Sequence, residues 1–187
     1  TILSDALAVS FDNHVGHDYL EDYEERFESY HRKESRIKFD LELFNKITKG
    51  GLPNKTLNIA LAGTGVGKSL FMCHHASSVL LEGKNVLYIT LEMAEEKIAE
   101  RIDANLLNVN IQNITELPKP MFESKVNNLA KKTQGTLIIK EYPTASAHSG
   151  HFKSLLNELA LKKSFTPDII FIDYLNICAS SRYRTNN

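Results

Sequence analysis

The chain has 187 residues, 42% of them hydrophobic and 24% charged, which suits one globular domain with an appendage. Its formal net charge of −1 excludes a global basic field, so any nucleic-acid site is a local patch or a product of assembly. Two cysteines, Cys73 and Cys178, stand far apart with no C-x-x-C. With no apolar run long enough to span a bilayer and no signal-peptide pattern, the expectation is a reduced, cytoplasmic protein with no membrane partner.

Residues 1–11 carry Ile2, Leu3, Ala6, Leu7 and Val9, partly at helical spacing. Two readings stay open: a short helix that packs on a partner, or the end of a preceding domain. Residues 12–17 contain Gly16 and read as a turn. Asp18 then suits a helix N-cap, with Glu21 as its capping-box partner, and the helix should run to about Lys33. Tyr19, Leu20, Tyr23, Phe27 and Tyr30 form one stripe, which reads as a packing face, and the acidic run 21–28 reads as a solvated one. Residues 34–38 are polar and basic, as in a linker. Leu41, Phe44 and Ile47 give a helical pattern within 39–49, ended by Gly50, Gly51 and Pro53.

Residues 57–70 hold the strongest signal. An apolar, strand-like run (Leu57, Ile59, Ala60, Leu61) feeds Gly63, Thr64, Gly65, Val66, Gly67, Lys68, Ser69 and Leu70, where a helical pattern begins. This is a relaxed Walker A pattern with Ala62 at the first glycine position. Glycines let successive backbone N–H groups turn toward an anion, and the helix N-terminus adds partial positive charge. Lys68 then reaches the outer phosphates and the Ser69 hydroxyl ligates Mg²⁺.

Downstream, helix and strand alternate. Helices are predicted over 68–81 (ended by Gly83), 94–107, 121–132 (ended by Gly135) and 151–163; strands over 86–91, 137–140 and 169–172. Such alternation predicts right-handed βαβ units around a mainly parallel sheet, with ligands at the carboxyl ends of its strands.

Two acids fall at those ends. Ile169-Ile170-Phe171-Ile172-Asp173 has the Walker B form, and Asp173 would hold Mg²⁺ directly or through water. Glu92 comes directly after the 86–91 strand. It could orient or deprotonate an attacking water, or merely open the next helix, and the residues alone leave both roles open. The pairs His14/His17 and His148/His151 lack a third nearby ligand, so solvent or packing roles are expected. Cys73 reads as a small buried hydrophobe. Arg182, Tyr183 and Arg184 could begin a DNA-facing loop or form a loose end.

Taken together, Ile47-Thr48-Lys49-Gly50-Gly51, Gly63-Thr64-Gly65-Val66-Gly67-Lys68-Ser69, Tyr88-Ile89-Thr90-Leu91-Glu92-Met93 and Ile172-Asp173-Tyr174-Leu175 resemble the DnaB family of replicative helicases. The likeness covers nearly the whole chain. It implies a RecA-like P-loop NTPase core, preceded by a helical linker segment, in a hexameric motor that hydrolyses ATP or another NTP between subunits and moves along single-stranded DNA. It implies Glu92 as the catalytic carboxylate, Lys68 and Ser69 as phosphate and Mg²⁺ ligands, and Asp173 as the Walker B acid. Residues 1–36 would be the linker from a missing N-terminal domain, docking on a neighbouring subunit. Residues 37–187 would be the first part of the motor, cut after Walker B. Primase and a helicase loader are the implied partners, in the host cytoplasm if the protein is phage-encoded.

Thr1 is not Met and the chain stops at Asn187, so a piece of a longer protein is expected. The family's sensor Gln, arginine finger and most DNA loops would then lie beyond it, leaving nucleotide binding with poor hydrolysis and no unwinding. A RecA-type recombinase or regulatory assembly module is the alternative, since such modules share the loop and strand order. The context of Glu92 and Asp173 favours the helicase.

Overall fold

The computed structural model describes residues 16–32 and 34–182. The expectations for residues 1–11, for most of the 12–17 turn and for Tyr183 and Arg184 lie outside them. The chain forms two compact units that divide between Ser35 and Arg36.

The first unit contains α1 (Tyr23–His31). Asp18 does cap a turn, for its Oδ1 accepts from the N–H groups of Leu20 (2.9 Å) and Glu21 (3.0 Å). Those two donors hold the Asp18 carboxyl below its usual range. The return bond differs from expectation: Asp18 N–H donates to Asp22 Oδ2 (2.7 Å), not to Glu21. The turn Asp18–Asp22 closes first, through Asp22 N–H to Asp18 O, and so places the Asp22 carboxylate over the free amide. Regular helix therefore starts at Tyr23. Tyr19, Leu20, Tyr23, Phe27 and Tyr30 are all exposed in this chain.

The second unit opens with β1 (Arg36–Ile37) and β2 (Leu52–Pro53), an antiparallel pair around α2 (Glu42–Ile47). Residues 34–38 are thus not simply a linker. A two-residue strand is too short to show a period, yet Ile37 is buried in the main core. Arg36 Nη1 ties the pair together by donating to Thr48 O (3.1 Å) and Gly51 O (3.3 Å).

Three parallel strands form the central sheet: β3 (Val86–Thr90), β4 (Leu137–Glu141) and β5 (Ile169–Asp173), in the order β4-β3-β5. Every residue of β3 is buried, as expected for a central parallel strand with both faces covered. Side chains alternate between the faces. Val86, Tyr88 and Phe171 pack against α3 (Lys68–Leu81) and α4 (Glu95–Leu106) through Met72, Cys73, Ala76, Val79, Ile98 and Ile102. Leu87, Ile89 and Leu91 pack against α6 (Ser149–Lys163) through Leu155 and Leu159. Each such buried aliphatic side chain contributes about 1.5–3 kcal/mol relative to exposure. Between α4 and β4 lies α5 (Lys119–Ala130), with no fully buried residue. Among the described residues no helix is long and apolar enough to cross a membrane.

Local signals behave unevenly. Gly83, at φ 80°, closes α3 as expected, with Lys84 N–H donating to Val79 O. Gly135 does not stop α5, which ends earlier; a Cβ there would lie 2.4 Å from Lys84 O, so this glycine permits a close backbone approach. His148 and His151 cap α6: His148 Nδ1 accepts from Gly150 N–H (3.0 Å), and His151 Nδ1 accepts from His148 N–H (3.2 Å).

The largest departure concerns the run at 57–61. It has no regular secondary structure and belongs to no sheet, and Leu57, Ile59 and Leu61 are exposed, Leu61 at 95%. A strand exists through hydrogen bonds to a neighbour. Among the described residues β5 pairs only with β3, and nothing is bonded to 57–61 as a strand.

Gly51 sits at φ 114°, and a Cβ there would lie 2.3 Å from Ile37 O. Gly51→Ala is expected to destabilise the second unit by more than about 1 kcal/mol, read as a lower urea midpoint with unchanged slope.

Candidate functional site

The glycine loop lies open. Gly65 and Gly67 have φ 76° and 106°, the left-handed region where glycine costs least, and a Cβ on either would meet no atom within 4 Å. Gly67 is also the residue from which α3 starts. The first turn of α3 has neither an acidic residue nor a side-chain cap, so its N–H groups and the positive end of the helix dipole remain available to an anion. Gly63, Thr64 and Val66 are exposed, Lys68 and Ser69 are half-buried, and Leu70 is exposed.

Opposite this turn stands Asp173. It is the last residue of β5, and alternation from Ile169 and Phe171 places it on the α3 face. Only 2% of it is exposed. A carboxylate so buried needs partners to remain charged. Oδ2 accepts a hydrogen bond from the Tyr88 hydroxyl at 3.1 Å, and Oδ1 lies 3.8 Å from Lys68 Nζ. Oδ1 has no hydrogen-bond donor among the described residues. Lys68 Nζ also sits 3.9 Å from the centre of the Tyr174 ring, a cation–π contact. Behind Tyr88, Cys73 Sγ lies 3.8 Å from the phenol oxygen. Burial pushes both the Tyr88 phenol and the Cys73 thiol above their usual range, so both keep their protons.

Glu92 is reached from the neighbouring strand. Thr90 is the register partner of Asp173, and Leu91 N–H donates to Asp173 O (2.9 Å), so the chain leaves β3 at the same rim. The buried Thr90 hydroxyl closes the turn by donating to Met93 O (2.8 Å) and accepting from Met93 N–H (3.1 Å). Glu92 stands exposed at the middle of that turn. It does not open α4: the acids of that first turn are Glu95 and Glu96. Glu95 and Glu141 instead bond each other's backbone N–H groups, which pins α4 to the end of β4.

The geometry therefore brings Lys68 and Asp173 together and sets Glu92 on the same rim. The orphaned Oδ1 of Asp173 and the Ser69 hydroxyl in the adjoining turn are hard oxygen donors that fit Mg²⁺, a cation that takes few protein ligands and keeps water and phosphate in the rest of its shell. No group of three His, Cys, Asp or Glu residues suited to a metal occurs among the described residues. Arg182 is exposed in the segment after β5, where its N–H donates to Ser180 Oγ (3.1 Å). Sequence reasoning missed Tyr88, Thr90 and Tyr174. The signal that could have found them was a hydroxyl in an otherwise apolar strand and an aromatic ring directly after the acid.

A glycine loop at a helix start and a strand-end acid on one rim of a parallel sheet, with helices on both faces, fit a RecA-like P-loop core. The model for the DnaB-like helicase C terminal domain matches residues 37–187, and the chain belongs to that family. It is similar to the DnaB-like replicative helicase of Enterobacteria phage T4, 50% identical over 186 residues, which are 98% of this chain and 39% of that protein. Over 134 residues, 68% of this chain and 28% of the other, it is 29% identical to a probable plasmid replicative DNA helicase of Chlamydia psittaci. It is also 32% identical over 110 residues to the DNA repair protein RadA of Campylobacter jejuni, 59% of this chain and 24% of that one. A solved DnaB-like replicative helicase, described with its interactions with primase, superimposes with a TM-score of 0.62 at 18% identity, covering 99% of this chain and 44% of that chain. The chain thus spans about two fifths or less of the curated relatives it matches.

Thr90→Val keeps the shape and removes both hydrogen bonds of the turn. A stability loss of about 1–3 kcal/mol is expected from chemical denaturation.

Proposed function

We propose that the chain is the nucleotide-hydrolysing part of a replicative DNA helicase that uses ATP or another NTP to move on single-stranded DNA as a homo-hexamer. The observation that carries this reading is the convergence of Lys68 and the orphaned Oδ1 of Asp173 beside an open glycine loop. The likeness to two replicative helicases supports it.

In this reading the N–H groups of Gly63, Thr64, Gly65, Val66, Gly67 and the first turn through Leu70 cradle the phosphates. Lys68 leaves Asp173 and Tyr174 to neutralise the outer phosphates. Ser69 and Asp173 hold Mg²⁺, which when bound neutralises charge on the phosphate oxygens. Glu92, held by the Thr90 turn but solvated, orients and deprotonates the attacking water. Residues 1–36 serve as the linker that docks on a neighbouring subunit and 37–187 as the first part of the motor. Arg182, Tyr183 and Arg184 start a DNA-facing loop, in which Arg binds phosphate and Tyr stacks on bases. Primase and a helicase loader are the proposed partners, in the host cytoplasm.

A second reading, a RecA-type recombinase or regulatory assembly module, draws on the likeness to RadA. Strand separation at a model fork by the full-length protein supports the helicase, and strand pairing without separation supports the second.

Lys68→Ala is expected to weaken ADP binding by about 1.5–3 kcal/mol, the worth of a hydrogen bond to a charged group, as read by calorimetry. Glu92→Gln should leave nucleotide affinity near wild type and, in the complete hexamer, depress steady-state hydrolysis by about 10²-fold or more. Lost affinity with an unchanged rate per bound nucleotide would instead make Glu92 structural.

A further inference from the structure

The Tyr88 hydroxyl has no role in the proposed hydrolysis, yet its surroundings are specific. Apart from Thr90, whose hydroxyl closes the turn to Met93, β3 is otherwise lined with Val86, Leu87 and Ile89, and packing alone asks for no oxygen at position 88. The ring is fully buried and stacks on Phe171 of the neighbouring strand, with centroids 5.7 Å apart and planes 17° apart. Phenylalanine would fill that space as well. The hydroxyl instead sits in a directed chain: the Cys73 thiol on α3 donates to the phenol oxygen at 3.8 Å, and the phenol donates to Asp173 Oδ2 at 3.1 Å. All three side chains are buried. The helix after the phosphate loop is thereby linked through the central strand to the strand-end acid.

The consequence lies in how the two carboxylate oxygens are divided. A strand-end Asp can rotate about its side-chain bonds and offer either oxygen in either direction. With Oδ2 engaged by Tyr88, Oδ1 is the oxygen left facing Lys68, and it is the one without a hydrogen-bond donor. We propose that Tyr88 is a positioning residue of the cation site, fixing the Asp173 carboxylate so that one defined oxygen is presented to a divalent cation beside the phosphate loop. The proposal rests on the reading of Asp173 as a Mg²⁺ ligand. Groups that hydrogen-bond a ligating carboxylate tune metal affinity without touching the metal.

The test compares ADP affinity of the protein, by calorimetry, with excess Mg²⁺ and with EDTA. The ratio of the two affinities isolates the cation's share. Tyr88→Phe is expected to cut that ratio by about 10-fold or more while leaving the affinity in EDTA near wild type. Cys73→Ala, which removes only the thiol behind the phenol, should lower the ratio in the same direction by less, and stands in if Tyr88→Phe does not fold. In an Asp173→Asn background, adding Tyr88→Phe should change the ratio no further. An unchanged ratio in Tyr88→Phe, or in Cys73→Ala where Tyr88→Phe does not fold, or equal losses with and without Mg²⁺, would overturn the positioning role. If Asp173→Asn itself kept the full Mg²⁺ gain, the cation reading would fall, and the role of Tyr88 with it. Loss in Asp173→Asn with none in Tyr88→Phe would remove the positioning role alone.

Discussion

Almost no water reaches the carboxylate of Asp173, and an anion in that position survives only through the groups around it. Those groups come from elements far apart in the chain: the Tyr88 phenol from β3 and the Lys68 ammonium from the start of α3. Each needs the other in place. Parallel pairing of β5 with β3 sets the height of the acid against the phenol, and packing of α3 on the same face brings the lysine over. The charge at the end of β5 is thus offset only in part, by sheet and helix together, and Oδ1 still lacks a hydrogen-bond donor among the described residues.

The rim owes its composition to register. In a parallel sheet all strands end on the same side, so the residues just past each strand gather along one edge. Here Thr90 faces Asp173 on one side and Glu141 on the other. Besides Glu95 on α4, three carboxylates consequently stand within a few residues of that line, and the local bonds sort them. Glu141 is consumed in holding α4 through Glu95, Asp173 is buried beside Lys68, and Glu92 is left exposed in a turn closed by Thr90. Similar side chains on one edge thus have three different environments. The environment, more than the residue type, separates a carboxylate spent on backbone donors, one buried beside a cation-bearing side chain and one left to solvent.

Backbone demands explain where the fold departs from local expectation. The 57–61 run has the composition of a buried strand but none of the pairing, since ladder bonds must come from a neighbour and β5 pairs only with β3 among the described residues. Gly135 looks like a helix stop, yet its purpose is to let the chain pass close to Lys84 O. The two histidines at 148 and 151 satisfy backbone donors at the head of α6, a capping job usually given to shorter polar side chains. In each case a polar backbone group, or the space around one, decides what the side chain does.

Several features of this protein were determined by sequence alone, because they depend on neighbours along the chain. The glycine loop, the start of α3 at Lys68, the apolar cores of β3 and β5, and the acid closing β5 all come from residue order and period. The sequence also placed Glu92 after a strand, but could not separate a rim acid from a helix opener. That choice fell to the Thr90 turn and to Glu95 and Glu96 taking the first turn of α4. Burial of Ile37, the bond from Tyr88 to Asp173, the approach of Lys68 and the unpaired state of 57–61 were decided only by tertiary structure. The reason is physical: hydrogen bonds between strands and contacts across a core join residues tens of positions apart, and no local pattern records which of them will meet.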